Sequence, residues 1–553
     1  MRTRWSIRRL LRRLGTQFNS TGLLVGTFFF AWSLSPSLLP RVGVTQGVIS
    51  GLSLAAGYGV GILAYLAWKH LHLPVPRKSI QRLSQVAAGA LCIVFAMIFL
   101  RQAAEWQNTI RALMGMDEIT GIEVTTIGVL AVAVFVSVLL LARLFHYTFQ
   151  YLSRRLQQFV PKRVSQLIGL AAAFLLFWSI IDGVFFATAL RIADRSYQQI
   201  DALIEPETAQ PQAPGHTGSV ESLIEWSTLG RHGRRYIATT PSAAELAQYG
   251  GQSALEPIRV YVGLNAADDP ESRAELALAE LQRVDAFSRE ILVIITPTGT
   301  GWIDPASIVP AEYLHRGNVA SVAAQYSYMP SPVALMYDGE YGAETARALF
   351  QTIYRYWTTL PADDRPRLYL LGLSLGALNS DRSFDFYDII DDPFHGALWS
   401  GPPFRSETWR DVTQRRDPDS PAWLPVFRDG AVVRFANQNG GLERPGADWG
   451  NFRIAYLQYA SDPITFFDPQ SFWREPAWMS VPRGPDVSPE LRWFPIVTML
   501  QLAADIATGS SPRGFGHEYA MEHYHDAWLA LTEPSGWHPE ALAALRELHR
   551  ESR

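Results

Sequence analysis

Residues 367–379 read RLYLLGLSLGALN. The run Arg367–Leu373 is almost continuously apolar, as a strand buried on both faces is. It ends in Gly372-Leu373-Ser374-Leu375-Gly376, a G-x-S-x-G pattern, and the small-residue start of a helix (Ala377, Leu378, Asn379) follows. A strand that enters a helix through such a turn lifts the serine hydroxyl to the edge of the sheet. A bulky side chain at either glycine would collide inside the turn. The five letters alone say little in a chain with 41 Gly. Gly51-Leu52-Ser53-Leu54-Ala55 nearly repeats them within an apolar stretch and carries no chemistry. Context distinguishes the two.

On either side of this turn, short apolar runs alternate with amphipathic ones. Pro257–Leu264, Ile291–Thr296, Val319–Tyr328, Gly396–Ser400 and Arg453–Tyr459 read as strands. Pro270–Ser288 and Tyr341–Trp357 read as helices. Alternation of this kind predicts a mainly parallel sheet with helices on both faces. Residues 205–219, EPETAQPQAPGHTGS, read as a linker or exposed loop. The expected organisation is a helical membrane domain over 1–200, a linker over 201–220 and an α/β domain over 221–553. Residues 399–450, rich in Trp, Pro and Arg, read as a cap over the site or as surface loops.

A serine hydroxyl becomes a nucleophile when a base takes its proton and an acid orients the base. On a strand–turn–helix elbow the chain order is Ser, then Asp or Glu, then His. Asp462 follows the strand Arg453–Tyr459, and carboxylates at strand C-termini face the crevice of a parallel sheet. Asp468, Asp448 and Asp391 are the alternatives. His517 sits in a Gly-flanked turn, Gly514-Phe-Gly516-His517, whereas His523 and His525 fall on the helix that follows. A metal site of the H-E-x-x-H kind would need His at position 521, which is Met521. The oxyanion needs backbone N–H donors. Leu375 supplies one, and the loop Thr296-Pro-Thr298-Gly299-Thr300-Gly301-Trp302 is the candidate for the other, at Thr298 and Gly299. That loop lacks the Gly-Lys-Ser/Thr ending of a phosphate cradle. No metal or cofactor is expected.

The N-terminal residues are of another kind. Residues 1–200 carry 20 Lys+Arg against 6 Asp+Glu, a charge of +14; residues 201–553 carry −18. Overall the chain has 553 residues, 48% hydrophobic, net charge −4 and mean hydropathy +0.02, averages that conceal this split. An acidic second half argues against nucleic acid as a partner. Five apolar stretches, roughly 20–40, 47–68, 84–100, 124–142 and 165–190, approach or exceed the ~20 residues that cross a bilayer as a helix. Basic residues gather before the first stretch (Arg2 to Arg13), between the second and third, and between the fourth and fifth. The positive-inside rule then places the N-terminus in the cytoplasm and everything beyond residue 190 outside. A cleaved signal peptide over residues 1–36 is the rival reading. The pairs Gly47/Gly51 and Gly57/Gly61 suit close helix packing, within the chain or between chains of an oligomer. Asp182 is the one intramembrane acid, functional or interfacial. The lone cysteine, Cys92, falls in the third stretch and excludes any intrachain disulfide.

The blocks PIRVYVGL (257–264), TPTGTGWIDP (296–305), QYSYMPS (325–331), LGLSLG (371–376), LQYASDP (457–463) and GHEY (516–519) follow one another along the second half, behind the apolar first half. In these the chain resembles the bacterial membrane-bound α/β-hydrolase family, which joins a multi-span N-terminal domain to a C-terminal serine-hydrolase-like domain. The resemblance implies a Ser374/Asp462/His517 triad beside the Gly-rich loop near Gly299, and it fixes no substrate. The expected function is a membrane-anchored esterase or lipase-like serine hydrolase of an inner (cell) membrane, acting on an acyl ester, lipid-linked where the membrane lipids supply it. An acyltransferase of lipid or envelope molecules with the same acyl-enzyme is the second reading. A non-catalytic membrane scaffold is the third.

Overall fold

The computed structural model describes residues 18–74, 78–121, 123–180, 196–205, 208–250, 253–330, 341–444 and 447–552. The basic residues of 1–17 and Asp182 lie outside the described residues. The chain forms two compact units, and neither is continuous in sequence. The first comprises Met1–Thr188, Asp468–Met479 and Val487–Ser510; the second comprises Ala189–Phe467, Ser480–Asp486 and Ser511–Arg553.

The first unit is built from α1 (Ser20–Ser33), α2 (Gly43–His70), α3 (Lys78–Leu113), α4 (Val124–Leu156) and α5 (Lys162–Trp178). Among the described residues three helices, Gly43–His70, Gln85–Leu113 and Val124–Leu156, are long and apolar enough to cross a membrane. α1 stops after 14 residues. It gives way just before Ser35-Pro36, because a residue preceding proline is pushed out of the helical region. The fifth apolar stretch is helical over 162–178, and its second half, from 181, lies outside the described residues.

Both glycine pairs are used within the chain. A Cβ at Gly47 would meet Leu130 Cβ at 2.7 Å, and one at Gly51 would meet Ala131 O at 2.7 Å, so α4 covers the first pair. A Cβ at Gly57 would meet Phe29 Cγ, and one at Gly61 would meet Gly22 Cα, each at 2.7 Å, so α1 covers the second.

A polar clasp fastens the late segment to this unit. Asp505, on the helix Val497–Thr508, accepts from Arg41 Nε (2.8 Å), Leu38 N (3.1 Å) and Ser37 Oγ (3.1 Å). Gln501 Nε2 donates to Ser35 O (3.0 Å) and Ser33 O (3.2 Å). Carbonyls left over at the C-terminal end of α1, and the Leu38 amide in the turn that follows, are thereby satisfied by residues more than 460 positions away in sequence. Trp32 and Phe494 stack at 4.8 Å beside them.

The second unit holds seven parallel strands in the order β1-β3-β2-β4-β5-β7-β6. They are β1 (Ile258–Val262), β2 (Ile291–Thr296), β3 (Val319–Ala324), β4 (Arg367–Leu373), β5 (Gly396–Ser400), β6 (Val433–Ala436) and β7 (Arg453–Leu457). Every residue of β2 and β3 is buried, as helices on both sheet faces require. The crossover helices include α6 (Pro270–Arg283), α7 (Pro305–Leu314) and α8 (Tyr341–Trp357). Asp269 and Asp304 cap α6 and α7, each with proline at the first helical position. β4 is the central strand, with three strands on either side.

Three expectations change. β3 is shorter than expected: it stops at Ala324, and Gln325 N gives the last bond of the ladder, to Val262 O. The stretch 399–450 is not a cap throughout: Val433–Ala436 is the sheet's edge strand, paired with β7. Residues 201–220 are not a bare linker, since Asp201 is buried and accepts from Arg231 N (3.0 Å), and Thr217 is buried as well.

Candidate active site

β4 passes through Ser374 into α9 (Leu375–Asp381). Ser374 has φ 58° and ψ −124°, a conformation that costs a non-glycine residue roughly 1–3 kcal/mol and persists only where its surroundings enforce it. Here two close approaches enforce it. A Cβ on Gly372 would lie 2.5 Å from the Gly376 backbone, and one on Gly376 would lie 2.2 Å from Thr296 O at the end of β2. Only glycine fits at either place. The Ser374 N–H donates to Ser400 O at the end of β5 (2.9 Å), which holds the turn to the neighbouring strand.

β7 ends at Leu457, and the chain turns through Ser461 and Asp462. Asp462 is fully buried and caps the single turn Pro463–Phe466, accepting from Ile464 N at 2.9 Å. Its Oδ2 takes three further donors: Tyr519 OH at 2.7 Å, His517 Nδ1 at 2.8 Å and Thr465 Oγ1 at 3.2 Å. The contact fixes the imidazole tautomer, with the proton on Nδ1 facing the carboxylate. His517 Nε2 is buried and has no hydrogen-bond partner among the described residues. Burial works against the imidazolium, but the charge and hydrogen bond of Asp462 outweigh it, with Glu518 adding to them. The net effect raises the His517 pKa above its ordinary value.

Ser400-Gly401 lies between the serine and the histidine. Ser400 O receives the Ser374 amide, and a Cβ on Gly401 (φ +51°) would strike His517 Cε1 at 2.6 Å and Tyr519 Cε2 at 2.9 Å. The histidine turn is anchored from below: Gly516 N donates to Ser461 Oγ (2.8 Å), and Ser461 Oγ donates to Asp486 Oδ2 (2.5 Å). Gly401, Ser461, Asp486 and Tyr519 are structural partners that the sequence reading gave no role. Ser461 and Tyr519 stand beside the expected acid and histidine, so adjacency is the signal available for them; Asp486 offers none.

The alternatives fall elsewhere. Asp468 belongs to the first unit, where it caps Pro469–Phe472, and Asp448 and Asp391 are exposed. His523 and His525 lie on α10 (Met521–Thr532). His523 Nδ1 is hydrogen-bonded to Tyr459 OH (2.6 Å), and its ring lines a polar cavity of about 930 Å³ together with Arg434, Trp449 and Asp526. His525 Nδ1 pairs with His549 Nδ1 at 3.2 Å. Among the described residues no group of three or more His, Cys, Asp or Glu could hold a metal ion.

Leu375 is the first residue of α9, so its N–H has no acceptor within the helix. Thr298 differs from expectation. Its N–H donates to Trp302 O (3.0 Å), closing the Gly-rich turn, and so is not offered to a substrate. Gly299 lies inside that turn.

Residues 258–545 match a family model described as the alpha/beta-hydrolase family, and residues 34–241 match one described as that family's N-terminus. No curated protein and no solved structure matches the chain.

Proposed function

The chain belongs to the alpha/beta-hydrolase family, and on that premise we propose that it is a membrane-anchored serine hydrolase acting on an acyl ester. Ser374 attacks the acyl carbonyl. His517 takes the serine proton at Nε2 and returns it to the leaving alcohol, Asp462 orients the imidazole and stabilises the imidazolium, and water then releases the acyl group. The Leu375 N–H stabilises the oxyanion, with the backbone at Gly299 as its neighbour. The observation that carries the reading is the 2.8 Å contact between His517 Nδ1 and Asp462, which leaves a buried Nε2 with no hydrogen-bond partner among the described residues; Ser400-Gly401 links this ring to the elbow, since Ser400 O receives the Ser374 amide and Gly401 abuts His517.

The N-terminal unit anchors the enzyme by five spans, and the hydrolase unit faces outward from an inner membrane. Three long apolar helices support the anchoring, and the alternation of basic loops in the sequence supports the orientation; the count of five rests on the apolar stretches of the sequence alone. Tethering near the interface favours lipid-linked esters.

A fluorophosphonate probe, which esterifies activated serines, tests the chemistry. The wild type is labelled and Ser374→Ala is not; equal labelling of both would sink the assignment. Adding alcohol or amine acceptors separates hydrolysis from acyl transfer by whether free acid or a new ester or amide accumulates. A C-terminal alkaline phosphatase fusion that stays inactive in intact cells would overturn the outward placement.

A further inference from the structure

Tyr519 is the last residue of the GHEY block, and the catalytic reading gives it no part. Its ring is almost fully buried, stacked on Tyr459 at 4.5 Å and edge-on to His517 at 5.8 Å. Its hydroxyl donates to Asp462 Oδ2 at 2.7 Å, and His517 Nδ1 donates to that same oxygen at 2.8 Å. The other carboxylate oxygen is taken by Ile464 N. Burial and the neighbouring Asp462 charge push the Tyr519 phenol well above its ordinary pKa, so it stays a donor throughout the working pH range.

We propose that Tyr519 is a positioning residue that tunes the base: by sharing Asp462 Oδ2, it sets how strongly the carboxylate holds the proton on His517. The inference rests on the triad reading above. Its physical content is a competition at one oxygen. Each donor to a carboxylate draws off part of its negative potential. With the phenol in place, the imidazolium is stabilised less than the bare Asp462–His517 pair would stabilise it. More of the enzyme then carries a neutral, proton-accepting His517 at a given pH. Removing the hydroxyl returns the full potential to the imidazole and raises its pKa. Activity would then need a higher pH.

Other charges bear on this pair and must be held constant. Glu518 acts directly on His517. Tyr519 is faced by Tyr459 and, from α10, by Tyr524. Behind Tyr459 lie Glu522, Asp486 and Asp304, together with the hydrogen-bonded His523. Asp304 needs its own control, because burial pushes it up to about 6, inside the range where the histidine titrates.

The rate of fluorophosphonate labelling of the full-length, detergent-solubilised chain, measured from pH 5 to 9, gives the midpoint without knowledge of the substrate. Tyr519→Phe keeps the ring and its stack. It is expected to move the acid-limb midpoint up by about 0.5–1 pH unit, with the plateau rate reduced less than about tenfold. Thr465→Val removes the longer hydrogen bond to the same oxygen, at 3.2 Å, and should move the midpoint in the same direction by less. The Tyr519→Phe shift should persist on an Asp304→Asn background. A midpoint unchanged in both variants, or moved down, overturns the proposal, even where the plateau falls, since that pattern belongs to a packing role. If Tyr519→Phe does not fold, Thr465→Val alone decides by the same sign. Absence of Ser374-dependent labelling in the wild type would instead overturn the triad reading beneath it.

Discussion

Two pentapeptides differ in one letter: Gly51-Leu-Ser-Leu-Ala55 and Gly372-Leu-Ser-Leu-Gly376. The first lies in the middle of α2, with Ser53 buried in a helix that continues for 15 more residues after Ala55. The second spans the end of a strand, a turn with positive φ and the start of a helix. Glycine does opposite work in the two. Gly51 lets α4 approach a regular helix, whereas Gly372 and Gly376 let the chain fold back on itself and on β2. The letters around the motif decide. One lies inside an unbroken helix; the other follows five strand residues, Arg367–Leu371, and meets a second glycine instead of alanine.

The sharpest way to break this comparison is at the two serines. Ser374→Ala should lower hydrolysis by a factor on the order of 10⁴–10⁶, as loss of a nucleophile does in serine hydrolases generally. Ser53→Ala should leave labelling and turnover unchanged, since its hydroxyl has no partner among the described residues and faces helix packing. Comparable losses at both positions would mean that the α2 motif has a chemistry that this reading denies it.

The next effect concerns what holds α2 in place. Arg41 bonds Asp505 and, through Nη1, Gln46 Oε1 (3.1 Å); Gln46 Nε2 bonds Ser50 Oγ (3.0 Å), one residue before Gly51. The Arg41 and Asp505 side chains are 1% and 0% exposed, so losing one strands the other. Asp505→Ala should cost about 3–5 kcal/mol, read as a lowered unfolding temperature in detergent. A neutral result would show that the clasp is solvated in the working protein.

That clasp also shows where sequence reading stops. β2, β4 and β5 are legible to the residue, because short apolar runs bounded by glycine, proline or charge have no other reading. The meeting of Asp462 and His517 is legible because chain order and strand ends constrain where the two can lie. β6 is not: four residues, VRFA, inside a stretch of Trp, Pro and Arg give no alternation long enough to see. Nor is the membership of Val497–Thr508 in the first unit. Twelve residues make a helix of ~18 Å, too short to signal a span. Its fixing contacts join residues more than 460 positions apart, a relation that no local pattern encodes.

The two motif glycines give a smaller effect and a cleaner contrast. Gly376→Ala brings a Cβ to within 2.2 Å of a backbone oxygen, and Gly51→Ala to within 2.7 Å of Ala131 O and Val134 Cβ. Each should destabilise its own unit by roughly 1–3 kcal/mol through overpacking. Only Gly376→Ala should also lose probe labelling at temperatures where the protein is folded, because it displaces the nucleophile's turn. Retained labelling in folded Gly376→Ala would show that the turn tolerates a side chain.

The smallest effect applies the same contrast to two histidines six positions apart. His517, in the turn, has a raised pKa: burial opposes its charge, but Asp462 prevails. His523, on α10, has a lowered one, since burial dominates the nearby acids. Their linkage to stability therefore has opposite sign. The proton on His517 stabilises the fold fully below the unfolded value, near 6.5, and that contribution is lost as pH rises through the higher folded value. Neutral His523 stabilises the fold above the unfolded value, and its contribution is lost as pH falls toward the lower folded one. The difference in unfolding temperature between wild type and His517→Ala should shrink from pH 5 to 8. The difference between wild type and His523→Ala should grow over the same range. Neither trend can exceed about 1.4 kcal/mol per pH unit for a single proton. Trends of the same sign would show that the two rings share one environment, and the distinction between a turn histidine held by a carboxylate and a helical one held by a phenol would collapse.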